Sequence, residues 1–225
     1  MTISSLLEKQ ARLRPATAAV LDVTCRQPLS YSALYELVCR FAAYARAHGV
    51  HARDRVALLA PGGAEAATAF LAISACAACA PLNPRYREQE LEFYLRDIAP
   101  KLLVLVGELQ TPAPGVATRM GVPVLELAPE VEGAAGSFCI NGTADRVAPE
   151  DRPQPDDVAL LLHTSGTTSR PKLVPLTHQN LMASSEHIVA SLSLGPKDRC
   201  LNVMPLFHIH GLVGALLASL RAGAS

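Results

Sequence analysis

Short apolar runs alternate with longer amphipathic stretches along most of the chain, a pattern that predicts strands alternating with helices. The run at 55–60, for example, is brief and ends at Pro61-Gly62-Gly63, and a long alanine-rich stretch follows it. Strands are predicted at 18–23, 55–60, 101–106, 122–127, 158–162 and 199–204. Helices are predicted at 4–13, from a cap at Ser32 to just before Gly49, at 64–80, at 87–98, from a cap at Thr177 to Leu192, and at 212–220.

This order of elements indicates the fold class. A strand, a loop and a helix in succession begin a βαβ crossover, and repeated crossovers build a parallel sheet. The prediction is an α/β fold with layered helices on a mostly parallel sheet. Glycine and proline punctuate residues 108–157, which are predicted to be surface loops around the strand at 122–127.

Composition and charge narrow the classes of function. The chain has 225 residues with 20 basic and 20 acidic side chains, so its formal net charge is zero. Without a basic stripe interleaved with aromatic residues, the sequence argues against a nucleic-acid partner. The first residues lack the basic region and apolar core of a secretory signal, so a cytoplasmic location is expected. The apolar stretch 64–80 lies between Pro61 and Pro81 and is too short to span a membrane.

The cysteines do not indicate a redox or metal function. There are six, and without an export signal no disulfides are expected. Cys76 and Cys79 have the spacing of a redox or zinc pair. They lie in an alanine-rich apolar run with no second pair of cysteine or histidine nearby, so we interpret them as two small core residues.

The most informative stretch is 160–174, where an apolar run gives way to hydroxyl side chains, one glycine and a lysine. Glycine permits close approach of the backbone, and successive N–H groups can form a concave anion site. Lysine adds a full positive charge, so the set fits a polyphosphate. The candidate phosphate-binding residues are Thr164, Ser165, Gly166, Thr167, Thr168, Ser169 and Lys172.

Better-known loops do not fit this stretch. A Walker loop requires glycine immediately before the lysine, but Pro171 precedes Lys172. The dinucleotide Gly-x-Gly-x-x-Gly pattern is absent, and Ser165 lacks the glycine spacing of a serine-hydrolase elbow. An ordinary polar turn is the remaining alternative.

The string resembles the phosphate-binding signature Thr-Ser-Gly-Thr-Thr-Gly-x-Pro-Lys-Gly of the AMP-forming adenylating enzymes, which include acyl-CoA synthetases, peptide-synthetase adenylation domains and luciferases. It departs from that signature at Ser169 and Leu173, both normally glycine. The serine variant resembles a subgroup that includes oxalate–CoA ligases. A second block, beginning Pro81-Leu82-Asn83-Pro84, is also similar, so the resemblance runs from about residue 30 to the end.

The resemblance implies an activity and its co-substrates. A carboxylic acid would attack the α-phosphate of ATP, giving an acyl-adenylate and pyrophosphate, and coenzyme A would then take the acyl group as a thioester. The candidate residues from Thr164 to Lys172 would bind the β- and γ-phosphates, usually with Mg²⁺ to screen the charge. The resemblance thus gives Lys172 a catalytic role.

Three histidines require separate interpretation. His208 and His210 have the His-x-His spacing of a metal pair, but no acidic residue or cysteine follows within ten residues to act as a third ligand, so no metal site is predicted. Pro205-Leu206-Phe207-His208 resembles the family's block lining the acyl and adenylate pocket, which implies a catalytic role for His208. A core position is the alternative for both histidines. His163 is either a packed strand-end residue or a ligand contact.

Residues 1–225 resemble only the amino-terminal AMP-binding domain of such a ligase, without the carboxyl-terminal domain that carries an essential lysine. The piece is therefore expected to be inactive alone and to self-associate through apolar surface that the missing half would cover. Three classes of function fit: a carboxylate–CoA ligase, an amino-acid adenylation domain of a peptide synthetase, and a non-catalytic nucleotide-binding or assembly module.

Overall fold

The computed structural model describes residues 1–24, 26–140, 152–164 and 171–225. Its helices are α1 Ile3–Leu13, α2 Tyr31–Ala47, α3 Gly63–Ser74, α4 Glu88–Ile98, α5 Ala113–Arg119, α6 His178–Leu192, a π-helix at His210–Leu217, and α7 Ala218–Ala222. Its strands are β1 Ala18–Val20, β2 Leu29–Ser30, β3 Arg55–Leu59, β4 Ala78–Leu82, β5 Leu102–Val106, β6 Val124–Pro129, β7 Phe138–Cys139, β8 Val158–His163 and β9 Leu173–Thr177.

Within those ranges the main sheet has seven strands in the order β7-β6-β5-β3-β4-β8-β9. The five inner strands run parallel, and β7 and β9 pair antiparallel at the two edges. A separate small sheet pairs β1 with β2 antiparallel. The predicted α/β fold with a mostly parallel sheet is therefore confirmed.

Helices cover both faces of this sheet. One core joins α1, α2, α3, α6 and the π-helix to one face, with Phe41, Phe70 and Leu212 among its fully buried side chains. A second, smaller core packs α4 and α5 on the other face around Leu91 and Leu103. Burial on both faces explains why β3, β4 and β5 are continuous apolar runs rather than alternating ones.

The predicted helix at 64–80 is wrong in its second half. Helix α3 ends at Ser74, and Ala78–Leu82 forms β4, which lies between β3 and β8 in the sheet. Short apolar stretches of small residues have no periodicity that separates a buried helix from a buried strand. Cys76 and Cys79 are buried, as predicted, and burial raises the pKa of the Cys76 thiol to about 12.

Other boundaries also differ from the predictions. Ser30, not Ser32, caps α2, because its hydroxyl accepts a hydrogen bond from the Ala33 N–H. Helix α5 lies within the segment predicted to be loop. It was not predicted because it is short and contains proline and glycine, which are typical of loops. The predicted helix 212–220 begins earlier, as the π-helix, and continues into α7.

The predicted strand at 199–204 is absent from the described part of the chain. The segment carries the alternation of a strand, but Leu201 and Val203 are 76% and 79% exposed and no neighbouring strand pairs with it. A strand requires a partner as well as a pattern. No helix in the described ranges combines the length and apolar character needed to cross a membrane.

Helix α1 is held against α6 by a buried histidine. His178, the first residue of α6, is 0% exposed, and its Nδ1 accepts a hydrogen bond of 3.2 Å from the Ile3 N–H. Because Nδ1 accepts, the neutral ring carries its proton on Nε2, which is buried and has no hydrogen-bond partner among the described residues. Burial lowers the pKa of His178 to about 4, because a protonated ring would lose its hydration.

This burial makes stability depend on pH. In the unfolded chain His178 becomes protonated near its ordinary pKa of about 6.5, whereas in the folded chain it stays neutral down to about pH 4. The unfolded state therefore binds more protons in that window, and the free energy of unfolding should fall as pH drops from 6.5 to 4, by up to about 3 kcal/mol.

His178→Asn should remove this dependence, since the asparagine Oδ1 can replace Nδ1 as the acceptor for Ile3. Urea unfolding at several pH values measures the slope. His187→Asn, at an exposed position on the same helix, is the control and should retain the wild-type slope. Equal slopes for wild type and His178→Asn would contradict the prediction.

Candidate active site

The β8–β9 hairpin forms the neck of the predicted phosphate loop. His163 pairs with Leu173 in the ladder, and beyond that pair the Thr164 N–H donates to the Lys172 carbonyl at 2.9 Å. In return, the Lys172 N–H donates to the Thr164 hydroxyl oxygen at 3.1 Å. The structure thus brings together two predicted site residues. Ser165, Gly166, Thr167, Thr168 and Ser169 lie outside the described residues.

The alternation of side chains along β8 and β9 determines which face of the sheet Thr164 and Lys172 occupy. Leu161 and Leu173 pack in the core beside α4, whereas Leu162 packs in the core beside α3 and α6. Continuing this alternation by one residue places Thr164 and Lys172 on the α3 side of the sheet. Lys172 is exposed, and within the described ranges its ammonium has no ion-pair partner. As far as the described residues show, no acidic side chain competes with an anion for this ammonium.

The structure supports the packed interpretation of His163. Its Nε2 donates to Asp97 Oδ2 at 2.9 Å, and its ring lies 4.6 Å from that of Tyr94. The side chain is only 8% exposed. His163 therefore contacts α4, on the opposite face from the core that contains Leu162.

His208 and His210 lie where a tight turn enters the π-helix. The His208 N–H donates to the Pro205 carbonyl at 3.1 Å, and the His208 carbonyl accepts from Leu212 at 3.2 Å. Both histidines are exposed, so the alternative of a core histidine is wrong for each. Backbone of π-helical geometry is often found at functional sites. Within the described part of the chain, no hydrogen bond joins His208 to the hairpin neck.

Asn202 holds this turn closed. Its Nδ2 donates to the Gly211 carbonyl at 3.2 Å, while its Oδ1 accepts from the Met204 N–H at 3.1 Å. The side chain therefore bridges the extended segment and the first turn of the π-helix. Neither Asn202 nor Asp97 was predicted as a site residue, because each is recognisable only by a partner brought to it by folding.

A cleft of about 880 Å³ opens at the carboxyl ends of β3 and β4. It is lined mainly by 60–64, 81–85 and 199–207, and its size is that of a small-molecule pocket. Ligands of open α/β sheets bind at this end of the strands, where the β8–β9 hairpin also leaves the sheet. The described ranges contain no group of three histidine, cysteine or acidic residues that could hold a metal ion.

Residues 7–225 match the family model of the AMP-binding enzymes, and the chain therefore belongs to that family. It is 41% identical over its full length to an oxalate–CoA ligase of Arabidopsis thaliana, of which it covers 44%. It is also 32% identical over its full length to tyrocidine synthase 3 of Brevibacillus parabrevis, of which it covers 3%.

Among solved structures, the crystal structure of ATP-bound MatB from Rhodopseudomonas palustris superposes with a TM-score of 0.80 and 30% identity, over 100% of this chain and 44% of that one. The resemblance inferred from the phosphate-loop string is confirmed, as is its oxalate–CoA ligase subgroup. The chain spans less than half the length of the ligases it matches.

The turn before the π-helix should not tolerate a side chain at Gly211. A Cβ there would lie 2.7 Å from the Pro205 carbonyl oxygen and 3.0 Å from that of Met204, so Gly211→Ala must displace the turn. We expect a loss of about 1–3 kcal/mol in the free energy of unfolding, measured by urea denaturation. Gly195→Ala, whose Cβ would approach nothing closer than 4.0 Å, is the matched control. Equal stability of the two variants would refute the steric argument.

Proposed function

We propose that the chain is the amino-terminal part of an ATP-dependent carboxylate–CoA ligase. The reaction would form an acyl-adenylate and pyrophosphate from an acid and ATP, and then an acyl-CoA thioester. The observation that carries this proposal is the closed hairpin neck, where Lys172 is exposed and has no ion-pair partner among the described residues, next to a hydroxyl-rich stretch of sequence after β8. Membership of the AMP-binding family supports it.

The phosphate loop would bind the phosphates of ATP. We assign the β- and γ-phosphates to Thr164, Ser165, Gly166, Thr167, Thr168, Ser169 and Lys172. The described residues fit a polyanion, because Lys172 has no acidic partner there and the neck fixes its backbone. Mg²⁺ would enter with the phosphates, whose oxygens supply most of its ligands in such sites.

Catalysis by these residues would consist of positioning and electrostatic stabilisation. A carboxylate is a poor electrophile until its oxygen is replaced by a better leaving group. Lys172 would stabilise charge as pyrophosphate departs. His208, exposed at its turn, would donate a hydrogen bond to the acid or to its adenylate.

Oxalate is the first acid to test, because the relative that is 41% identical to this chain is an oxalate–CoA ligase. An amino-acid adenylation domain is the second candidate, supported by the similarity of this chain to a 3% portion of tyrocidine synthase 3. The third is a non-catalytic nucleotide-binding module, to which Ser169 and Leu173 in place of glycine point. Pyrophosphate exchange by the full-length protein, with a panel of carboxylic and amino acids, separates the three.

Lys172→Ala should lower kcat/KM for ATP in that exchange by about 100-fold, because a full charge facing the phosphates is lost. Lys197→Ala, at another exposed lysine, is the control and should match the wild type. If an acid supports exchange and the two variants behave alike, the assignment of Lys172 fails. If no acid supports exchange, both enzyme proposals fail.

We also propose that residues 1–225 alone do not complete the reaction and that they self-associate. The extended segment presents Leu201 and Val203 to solvent, and apolar side chains so exposed favour association. Sedimentation velocity of the 225-residue chain should show species larger than a monomer, whose mass is 23.8 kDa, with the proportion rising with concentration. Leu201→Lys with Val203→Lys should return the monomer. A wild-type chain that is monomeric at all concentrations would contradict this proposal.

A further inference from the structure

Asp97 and His163 form a hydrogen-bonded pair next to the hairpin neck. Asp97 is next to last in α4 and His163 is the last residue of β8, and their side chains meet at 2.9 Å. The side chains of His163 and Asp97 are 8% and 34% exposed, so water competes little for the imidazole end of the bond. A hydrogen bond to a charged group in such a place is stronger than one between neutral groups.

The position of Asp97 is unfavourable for α4 itself. A negative charge in the last turn of a helix opposes the helix dipole, which favours cations there. Helix α4 therefore gains nothing locally from this carboxylate. The Asp97 carboxylate instead makes its hydrogen bond outside α4, to His163.

Aromatic rings hold the imidazole in place. The Tyr94 ring meets His163 edge-on at 4.6 Å, and Tyr86 stacks on Tyr94 with ring centroids also 4.6 Å apart. Phe93 lies 6.5 Å from the same imidazole. The ring is thus confined between α4 and the strand end, and its Nε2 remains directed at Asp97.

This pair connects α4 to the neck of the loop through the backbone. His163 pairs with Leu173, and the next residue, Thr164, makes both hydrogen bonds with Lys172. Strand β9 is at the edge of the described sheet, so only β8 supports it laterally. A displacement of His163 would therefore pass to Thr164 and Lys172 with no second strand to resist it.

We propose that Asp97 and His163 are positioning residues for the nucleotide site: their hydrogen bond fixes the end of β8, and hence the direction in which Thr164 and Lys172 face the phosphates of ATP. This inference rests on the proposed function of the same hairpin. The pair touches neither ATP nor the acid, and acts through the backbone of the neck.

The kinetic test uses the full-length protein in pyrophosphate exchange. Asp97→Ala and His163→Phe should each raise KM for ATP about tenfold, because Thr164 and Lys172 would then bind the phosphates less well; any fall in kcat, from the charge that Lys172 stabilises as pyrophosphate departs, would add to this rise in KM. Asp97→Asn keeps an acceptor for Nε2 and should restore most of the affinity. Glu92→Gln, which breaks an exposed ion pair with Arg96 on the same helix, is the control and should match the wild type.

A merely structural role has a different signature. Loss of folded protein lowers the active concentration, so kcat would fall while KM stayed unchanged. That result, or wild-type kinetics in both variants, would overturn the proposal.

Hydrogen exchange of the nucleotide-free protein tests the pair independently of turnover. The amides of Thr164 and Lys172 should exchange about tenfold faster in Asp97→Ala and His163→Phe than in wild type or Glu92→Gln. Unchanged exchange at the neck overturns the proposal whatever the kinetics. If the wild type has no ATP-dependent activity, the proposed function fails. Direct titration with ATP then decides whether the pair positions a nucleotide site. Equal affinities for ATP in the wild type and the two variants would overturn the proposal.

Discussion

Strand β4 is the element on which the arrangement of the site depends. All five of its residues are buried, and it pairs in parallel with β3 along its whole length and with β8 through Cys79 and Leu160. It therefore joins the β3-β5-β6 half of the sheet to the β8–β9 hairpin. Small side chains at 78–80 let helices approach on both faces. Because β3, β4 and β8 are parallel, the cleft and the hairpin neck both lie at the edge of the sheet formed by the carboxyl ends of these strands.

The hairpin is also continuous with the rest of the chain through its outgoing strand. β9 leads directly into α6, where Thr177 and Asn180 form a reciprocal cap. His178, which follows Thr177, accepts a hydrogen bond from the first residue of α1. Gln10 also donates to the Arg221 carbonyl in α7, and the Tyr31 hydroxyl donates to the Ala224 carbonyl just after α7. The described neck of the hairpin is thus linked through β9 and α6 to elements near both ends of the chain.

Local signals were sufficient for much of this structure. The end of β8, the cap at Thr177 and the helix at 87–98 were predictable because their determinants lie within a few residues of one another. Features that depend on partners distant in the sequence were not predictable. The sequence alone does not show that 78–82 would insert between two strands, that Asp97 would reach His163, or that 199–204 would find no strand beside it. In each case a contact made by folding overrides, or fails to satisfy, the local pattern.

The buried cysteines have a practical consequence. Alkylating reagents attack the thiolate, and burial raises the pKa of Cys76 to about 12 and that of Cys79 higher still. Cys139 and Cys200, by contrast, are free thiols at the surface. A maleimide should therefore modify the outer sulfurs at once, whereas the inner two become reactive only when the sheet opens. The molecule thus contains its own reporters of global unfolding, read by counting labels over time.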